Sequence, residues 1–220
     1  MKKGLTLLVF VMDRSGSMGN IIFDSIGGFN SLIDKQKTDC LAEGNTAKVS
    51  LVIFDDKIDT IYNYKNIIEV PELTDKIFYA RGMTALTDAV CRTINTVGGT
   101  LKDLSENDRP EKVIFTIITD GHENASREFQ PSQLKFLIKE QEDKYNWVFN
   151  FIGANIDSIN TSGQMGVSNT RGVSNYVASA SGVRAMFKGV SNYTTNLRNS
   201  AIGDTTFMSI QEEITELNKQ

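Results

Sequence analysis

The segment LTLLVFVMDRSGSMGN, residues 5–20, drives an apolar run into an aspartate and then sets serines at alternate positions: Asp13, Ser15 and Ser17. Two more oxygen-bearing residues stand at similar junctions. Thr84 lies in RGMTAL just ahead of a helical pattern, and Asp120 follows the apolar run VIFTIIT. Together these residues offer two carboxylates and three hydroxyls, without a thiolate or an imidazole. Such a donor set suits a hard divalent cation, Mg²⁺ or Mn²⁺ in octahedral oxygen coordination with water completing the shell, and Ca²⁺ accepts the same donors. A loop curling after a strand can turn every second side chain to one side, and Gly16 and Gly19 permit the tight backbone this needs.

For these residues to meet, the elements that carry them must end at one place. Strand-like runs recur at Leu5 to Met12, Val49 to Phe54, Val113 to Thr119 and Trp147 to Ile152, most of them continuously apolar, as strands covered on both faces are. Between them Ile22, Ile26, Phe29 and Ile33 recur at helical spacing, as do Leu86, Val90, Ile94, Val97 and Leu101; Leu134, Leu137 and Ile138 follow Pro131 at a first-turn position. This alternation predicts an α/β fold: a doubly wound, mostly parallel central sheet, Rossmann-like, with helices on both faces. In such a sheet ligands bind beyond the carboxyl ends of the strands, where strand order reverses.

One connection breaks the pattern. SLVIFDDKIDTIYNY leaves too few residues for a crossover, so the strand near Ile58 to Tyr64 is expected to run antiparallel at an edge. Asp55 and Asp56 then form a solvated hairpin turn. Late in the chain, Asn175 to Ser179 reads as a last short strand, and Val183, Phe187, Val190 and Leu197 as a closing helix. One domain over 1–200 is expected, followed by a C-terminal tail or short helix over 201–220.

At the five oxygen-bearing positions the sequence resembles the von Willebrand factor A (VWA) domain family. The metal-ion-dependent adhesion site of that family carries D-x-S-x-S, a threonine in a later loop and an aspartate after the fourth strand. Here these stand as DRSGS at Asp13 to Ser17, GMTAL at Gly82 to Leu86 and ITDG at Ile118 to Gly121. The resemblance extends over about residues 4 to 198, and more narrowly to stand-alone intracellular members in bacteria and their phages, which implies no specific activity. It implies that Ser15, Ser17 and Thr84 coordinate the metal directly or through water, that Asp13 and Asp120 act through water, and that a Glu or Asp carboxylate of a protein partner takes the remaining position. Neutral hydroxyl ligands leave the cation's charge incompletely neutralised, so an external carboxylate is attracted. Arg14, Met18, Arg81, Met83, His122 and Asn124 flank the motif, either as contacts that select the partner or as ordinary solvent-facing loop residues. Asp88, one turn beyond Thr84, either accepts a hydrogen bond from the metal loop or simply favours the helix dipole.

Other readings of the same residues are weaker. A calcium-binding EF-hand would use Asp13, Ser15, Ser17 and Asp24, but its sixth position needs glycine and holds Met18, and its twelfth holds Asp24 instead of a bidentate glutamate. SGSMG approximates a nucleophile elbow with Ser17 at its apex, yet Ser15 replaces the first glycine and His122 is the one histidine in the chain. The alternative kept open is a metal-dependent hydrolase or phosphoesterase using the same carboxylates with His122.

Composition narrows the setting. A net charge of −4 without basic clusters argues against nucleic acid as a partner. No apolar segment approaches the roughly 20 residues of a membrane helix. The start, MKK and then apolar residues, imitates a signal peptide, but Asp13-Arg14 interrupts it where small cleavage-site residues belong. Cys40 and Cys91 make no disulfide framework, so a reducing, cytoplasmic setting is expected. A non-enzymatic, monomeric, metal-dependent binding module is the resulting expectation.

Overall fold

The computed structural model describes residues 1–201 and 203–219. Its first strand, β1 (Lys2–Asp13), is buried from Leu5 to Asp13. Leu8, Phe10 and Met12 enter one hydrophobic cluster and Leu7, Val9 and Val11 the other, which is why the strand shows no polar alternation. β2 (Thr46–Phe54), β4 (Pro110–Thr119), β5 (Val148–Ala154) and β6 (Val173–Tyr176) run parallel to it, and β3 (Ile58–Asn66) pairs antiparallel with β2 at the edge. The order is β3-β2-β1-β4-β5-β6. The chain thus winds outward from β1 to one side, then returns to lay β4 on the other side, making the β1/β4 boundary the switch point.

Helices cover both faces. α1 (Ile22–Glu43), α5 (Ala180–Asn199) and α6 (Ile210–Leu217) contribute Phe29, Phe187 and Ile214 to one cluster. α2 (Leu86–Asp103), α3 (Pro131–Tyr145) and α4 (Ser158–Met165) contribute Val90, Ile138 and Met165 to the other. Each expected helical stripe is found on its helix, with Ile26, Leu101 and Leu137 partly buried at the margins. Within 201–220, α6 closes against the first cluster through Ile210 and Ile214, and its Gln211 Oε1 accepts the Asn175 N–H of β6 at 3.0 Å.

Two elements differ from expectation. The last strand ends at Tyr176, earlier than the expected Ser179, because Ser179 is needed as the N-cap of α5 and accepts the Gly182 N–H at 3.2 Å. Val177, one residue past the strand, is therefore exposed. α4 was not signalled by any apolar stripe. It starts instead where Asp157 accepts the Asn160 N–H at 3.0 Å.

The two main helices on the α1 face approach closely at Gly28, where a Cβ would overlap the Phe187 ring, whereas a Cβ on the adjacent Gly27 would meet nothing within 4 Å. Gly28→Ala is therefore expected to destabilise the protein by about 1–3 kcal/mol through overpacking, and Gly27→Ala to stabilise it by about 0.5–1 kcal/mol by restricting the unfolded chain. Urea unfolding of the two variants checks both signs; equal effects would refute the close approach.

Candidate metal centre

Asp13 ends β1 and is fully buried. Its Oδ1 accepts the Ser15 N–H at 2.6 Å, and its Oδ2 accepts the Thr119 hydroxyl at 2.6 Å. One carboxylate thus folds its own loop back and fastens it to the end of β4, the neighbouring strand. Ser15 Oγ and Ser17 Oγ lie 3.1 Å apart, and Ser17 Oγ donates to Asp120 Oδ1 at 2.6 Å. Thr84 joins from the loop before α2: a Cβ built on Gly121 would stand 3.4 Å from Thr84 Oγ1 and 3.5 Å from Ser17 Oγ. All five anticipated side chains therefore converge at the carboxyl edge of β1 and β4. Asp13, Ser15, Thr84 and Asp120 are buried, and Ser17 is exposed, so the group opens to solvent on one side.

The electrostatics of this edge are unbalanced. Burial pushes the Asp13 carboxyl up to about 6, against the opposing hydrogen bonds from Thr119 and Ser15, and the charge of Asp120 adds to the rise. Burial also raises Asp120, opposed by the Ser17 hydroxyl. Among the described residues no Lys, Arg or His hydrogen-bonds either carboxylate. Nor do any three His, Cys, Asp or Glu residues among them form a group able to hold a metal. A cation here would thus rely on hydroxyl oxygens beside the two carboxylates, and the residues present fit an oxygen-liganded divalent ion.

The loops are held in place by charge. Asp55 is fully buried, contrary to the solvated turn expected of it. It accepts Arg14 Nε at 2.9 Å, Arg81 Nε at 2.5 Å and the Lys57 N–H at 2.6 Å. Burial opposes its ionisation, but Arg81, the Lys57 N–H and Arg14 together hold its carboxyl below the usual range. Arg14 also pairs with Asp59, and both guanidinium groups lie near the Tyr79 ring, 5.8 and 5.4 Å from its centroid. Backbone bonds complete the strap: Arg81 N to Arg14 O at 2.9 Å, Gly16 N to Gly82 O at 3.1 Å and Ala85 N to Asp55 O at 2.9 Å. Gly82 itself has φ +66°, and a Cβ there would run into Asp56.

From the other side, Asn124 Oδ1 accepts the Thr84 N–H at 2.9 Å, and the Asn124 N–H donates to Thr84 O at 3.0 Å. Glu123 accepts the N–H groups of Thr87, Ala125 and Ser126, bonds that outweigh burial and hold its carboxyl below the usual range. Asp88 accepts the N–H groups of Arg127, Glu128 and Phe129; it orders the segment before α3 and makes no bond to the Thr84 loop. Of the six flanking loop residues, Arg14 and Met18 are buried. They build the site from beneath and do not face solvent. Arg81 is partly exposed, and Met83 and His122 stand at the surface. Among the described residues, His122 makes no hydrogen bond to Ser17, which is occupied by Ser15 and Asp120.

Asp55→Asn leaves the buried Arg14 with Asp59 as its remaining charged partner, which is expected to cost about 3 kcal/mol at pH 7. Because the folded-state pKa of Asp55 is depressed, its contribution is complete above the unfolded carboxyl value of about 3.9 and is lost as pH falls through the folded value. The stability gap between wild type and variant, measured by urea unfolding, should therefore narrow below about pH 4. A gap that stays constant to pH 2 would contradict an ionised Asp55.

Comparison with known proteins accords with this geometry. The family model described as the von Willebrand factor type A domain matches residues 8–154. Among solved structures, the chain is similar to a von Willebrand factor type A protein from Catenulispora acidiphila, with TM-score 0.59 and 13% identity over 87% of this chain and 43% of that one. It is similar to proximal thread matrix protein 1 from the mussel byssus, described with a zinc-occupied MIDAS motif, with TM-score 0.56 and 17% identity over 86% of this chain and 46% of that one. The vWF domain of the type V pili tip protein Mfa5 from Porphyromonas gingivalis gives TM-score 0.61 and 11% identity, covering 92% of this chain and 98% of that domain. At these identities the likeness is one of fold, and the chain spans less than half the length of the first two proteins. No curated protein matches it in sequence. With the matched segment running from within β1 to the end of β5, the chain belongs to the von Willebrand factor type A domain family.

Proposed function

We propose that this chain is a non-catalytic, metal-dependent protein-binding module in which Asp13, Ser15, Ser17, Thr84 and Asp120 hold Mg²⁺ or Mn²⁺ for the capture of a partner's Glu or Asp carboxylate. The observation that carries the reading is the meeting of these side chains from three loops at the β1/β4 switch point, with hydroxyls beside two buried carboxylates that no basic side chain among the described residues neutralises. Family membership supports it, since such domains generally serve metal-dependent adhesion or protein interaction, and the byssus protein is described with zinc in this motif.

When bound, a divalent cation supplies a Lewis-acidic centre able to accept an external carboxylate. The chain's own residues prepare for that. Asp13 is oriented by the Ser15 N–H and Thr119 hydroxyl, and Asp120 by Ser17, so neither carboxylate is free to swing away. The Asp55 ion pairs and the Asn124 bonds fix the Thr84 loop from opposite sides. In this reading Arg81, Met83 and His122 would contact the residues next to the captured carboxylate.

The reading extends to a monomer in a reducing, cytoplasmic setting, supported by two buried free cysteines, and to partners other than nucleic acid, supported by the net charge of −4. Among the described residues no helix is long and apolar enough to cross a membrane. The hydrolase alternative lacks a specific supporting observation, since Ser17 is engaged by Ser15 and Asp120 and not by His122.

Mg²⁺ at 100-fold above its Kd is expected to stabilise the wild type by about 2.7 kcal/mol, and to leave an Asp120→Ala variant essentially unshifted though folded. Thermal unfolding with Mg²⁺ or EDTA measures this; equal metal stabilisation of the two proteins would overturn the ligand assignment. In parallel, immobilised wild type should retain a partner from lysate with Mg²⁺ and release it in EDTA, while Asp120→Ala retains none. Retention that ignores both EDTA and the substitution would remove the carboxylate-capture mechanism.

A further inference from the structure

Tyr176 ends β6, two strands from the candidate metal centre, and is 6% exposed. It packs in the same cluster as Met12, Ile118, Ile152 and Ala154, on the α1 face of the sheet. The registers place Thr119 opposite Gly153 and Ala154 opposite Tyr176, so the next residue of the β4 chain, Asp120, falls in line with Ala154 and Tyr176 along the carboxyl edge. The residue between Asp120 and Tyr176 in this row is Ala154.

A phenylalanine would serve the packing equally well. Tyr176 instead carries a hydroxyl that is fully buried and, among the described residues, has no hydrogen-bond partner. Buried hydroxyls in folded proteins are nearly always bonded to protein or to ordered water, because desolvation is otherwise uncompensated. The surroundings of this one are anionic. Burial, then the charge of Asp120, then that of Asp13, raise the phenol well above its usual value. Ser17 is the one side chain among the described residues that hydrogen-bonds Asp120, and it occupies Oδ1 alone.

We propose that the Tyr176 hydroxyl donates to a water on the Asp120 side of the bound cation, so that Tyr176 is a positioning residue that sets metal affinity from two strands away. This rests on the metal-binding reading above. A phenolic O–H is a donor that stays protonated in this anionic setting, and a water that gives its protons to carboxylate oxygens of Asp120 keeps lone pairs to accept it. The tyrosine thereby fixes the orientation of that water and, through it, of Asp120. Partners one step beyond the ligands commonly change metal affinity by about 10- to 100-fold when removed.

The test is a Mg²⁺ titration by calorimetry of wild type, Tyr176→Phe and Asp120→Ala, with urea unfolding of each in EDTA. The expected result is a loss of roughly 10-fold in Mg²⁺ affinity for Tyr176→Phe, with metal-free stability equal to or above wild type because an unpaired buried hydroxyl has gone. Wild-type affinity in Tyr176→Phe, alongside lost binding in Asp120→Ala, would overturn this proposal and leave the metal-binding reading standing. Weaker binding accompanied by a matching loss of metal-free stability would reduce Tyr176 to a packing role and overturn it as well. Absence of Mg²⁺ and Mn²⁺ binding by wild type would overturn both.

Discussion

Asp13 occupies the point where the fold and the candidate site become one problem. Its carboxylate sits at the end of the central strand, fully buried, and spends one oxygen on the loop that follows it and the other on Thr119 of the adjacent strand. In the absence of those donors a buried carboxylate at this edge would simply take up a proton or draw in water. With them, the direction of the Ser15–Ser17 turn and the spacing between the ends of β1 and β4 are set by the same group. A parallel sheet that reverses its winding at this boundary leaves a crevice there, and Asp13 determines the shape of its floor.

A second layer of electrostatics holds the remaining wall. Thr84 sits on a loop with no regular structure, and nothing in its own sequence would keep it beside Ser17. The buried Asp55 draws Arg14 and Arg81 together, tying that loop to β1 and to the β2–β3 hairpin. Asn124 and Glu123 hold the opposite side by accepting backbone N–H groups of Thr84 and Thr87. The hydroxyl and carboxylate group thus stands on ordered neighbours although most of its members lie in loops.

Local patterns in the sequence carried the parts of this arrangement that are local. Continuous apolar runs marked strands covered twice, the short DDK connection marked the antiparallel edge, and DRSGS, GMTAL and ITDG marked the strand ends that meet. What escaped were groups whose meaning depends on distant partners. Asp55 looked like a turn residue because Arg14 lies 41 positions away and Arg81 26. Arg14 and Met18 looked solvent-facing because they stand among loop residues, and their burial follows only from how the loop packs back under itself. Asp88 looked like an acid favouring a helix start, and its bonds to the 127–129 backbone come from a crossing that no spacing reveals. Glu123 and Asn124 stand three and four positions after Asp120, and that nearness was the one available signal for the network around Thr84.

The bond from Gln211 to the Asn175 N–H has a bearing on how this molecule can associate. β6 is an outer strand of the sheet, and an outer strand normally presents a row of unused backbone donors and acceptors that another chain can copy. Here a side chain from α6 occupies a donor of that row, and the same Gln211 oxygen also accepts the Ser174 hydroxyl at 3.1 Å. The opposite margin, β3, is interrupted by shifts in register against β2 and carries Asp59 and Lys65 along its length. Neither margin offers a straight, vacant template, so growth by strand addition is disfavoured at both.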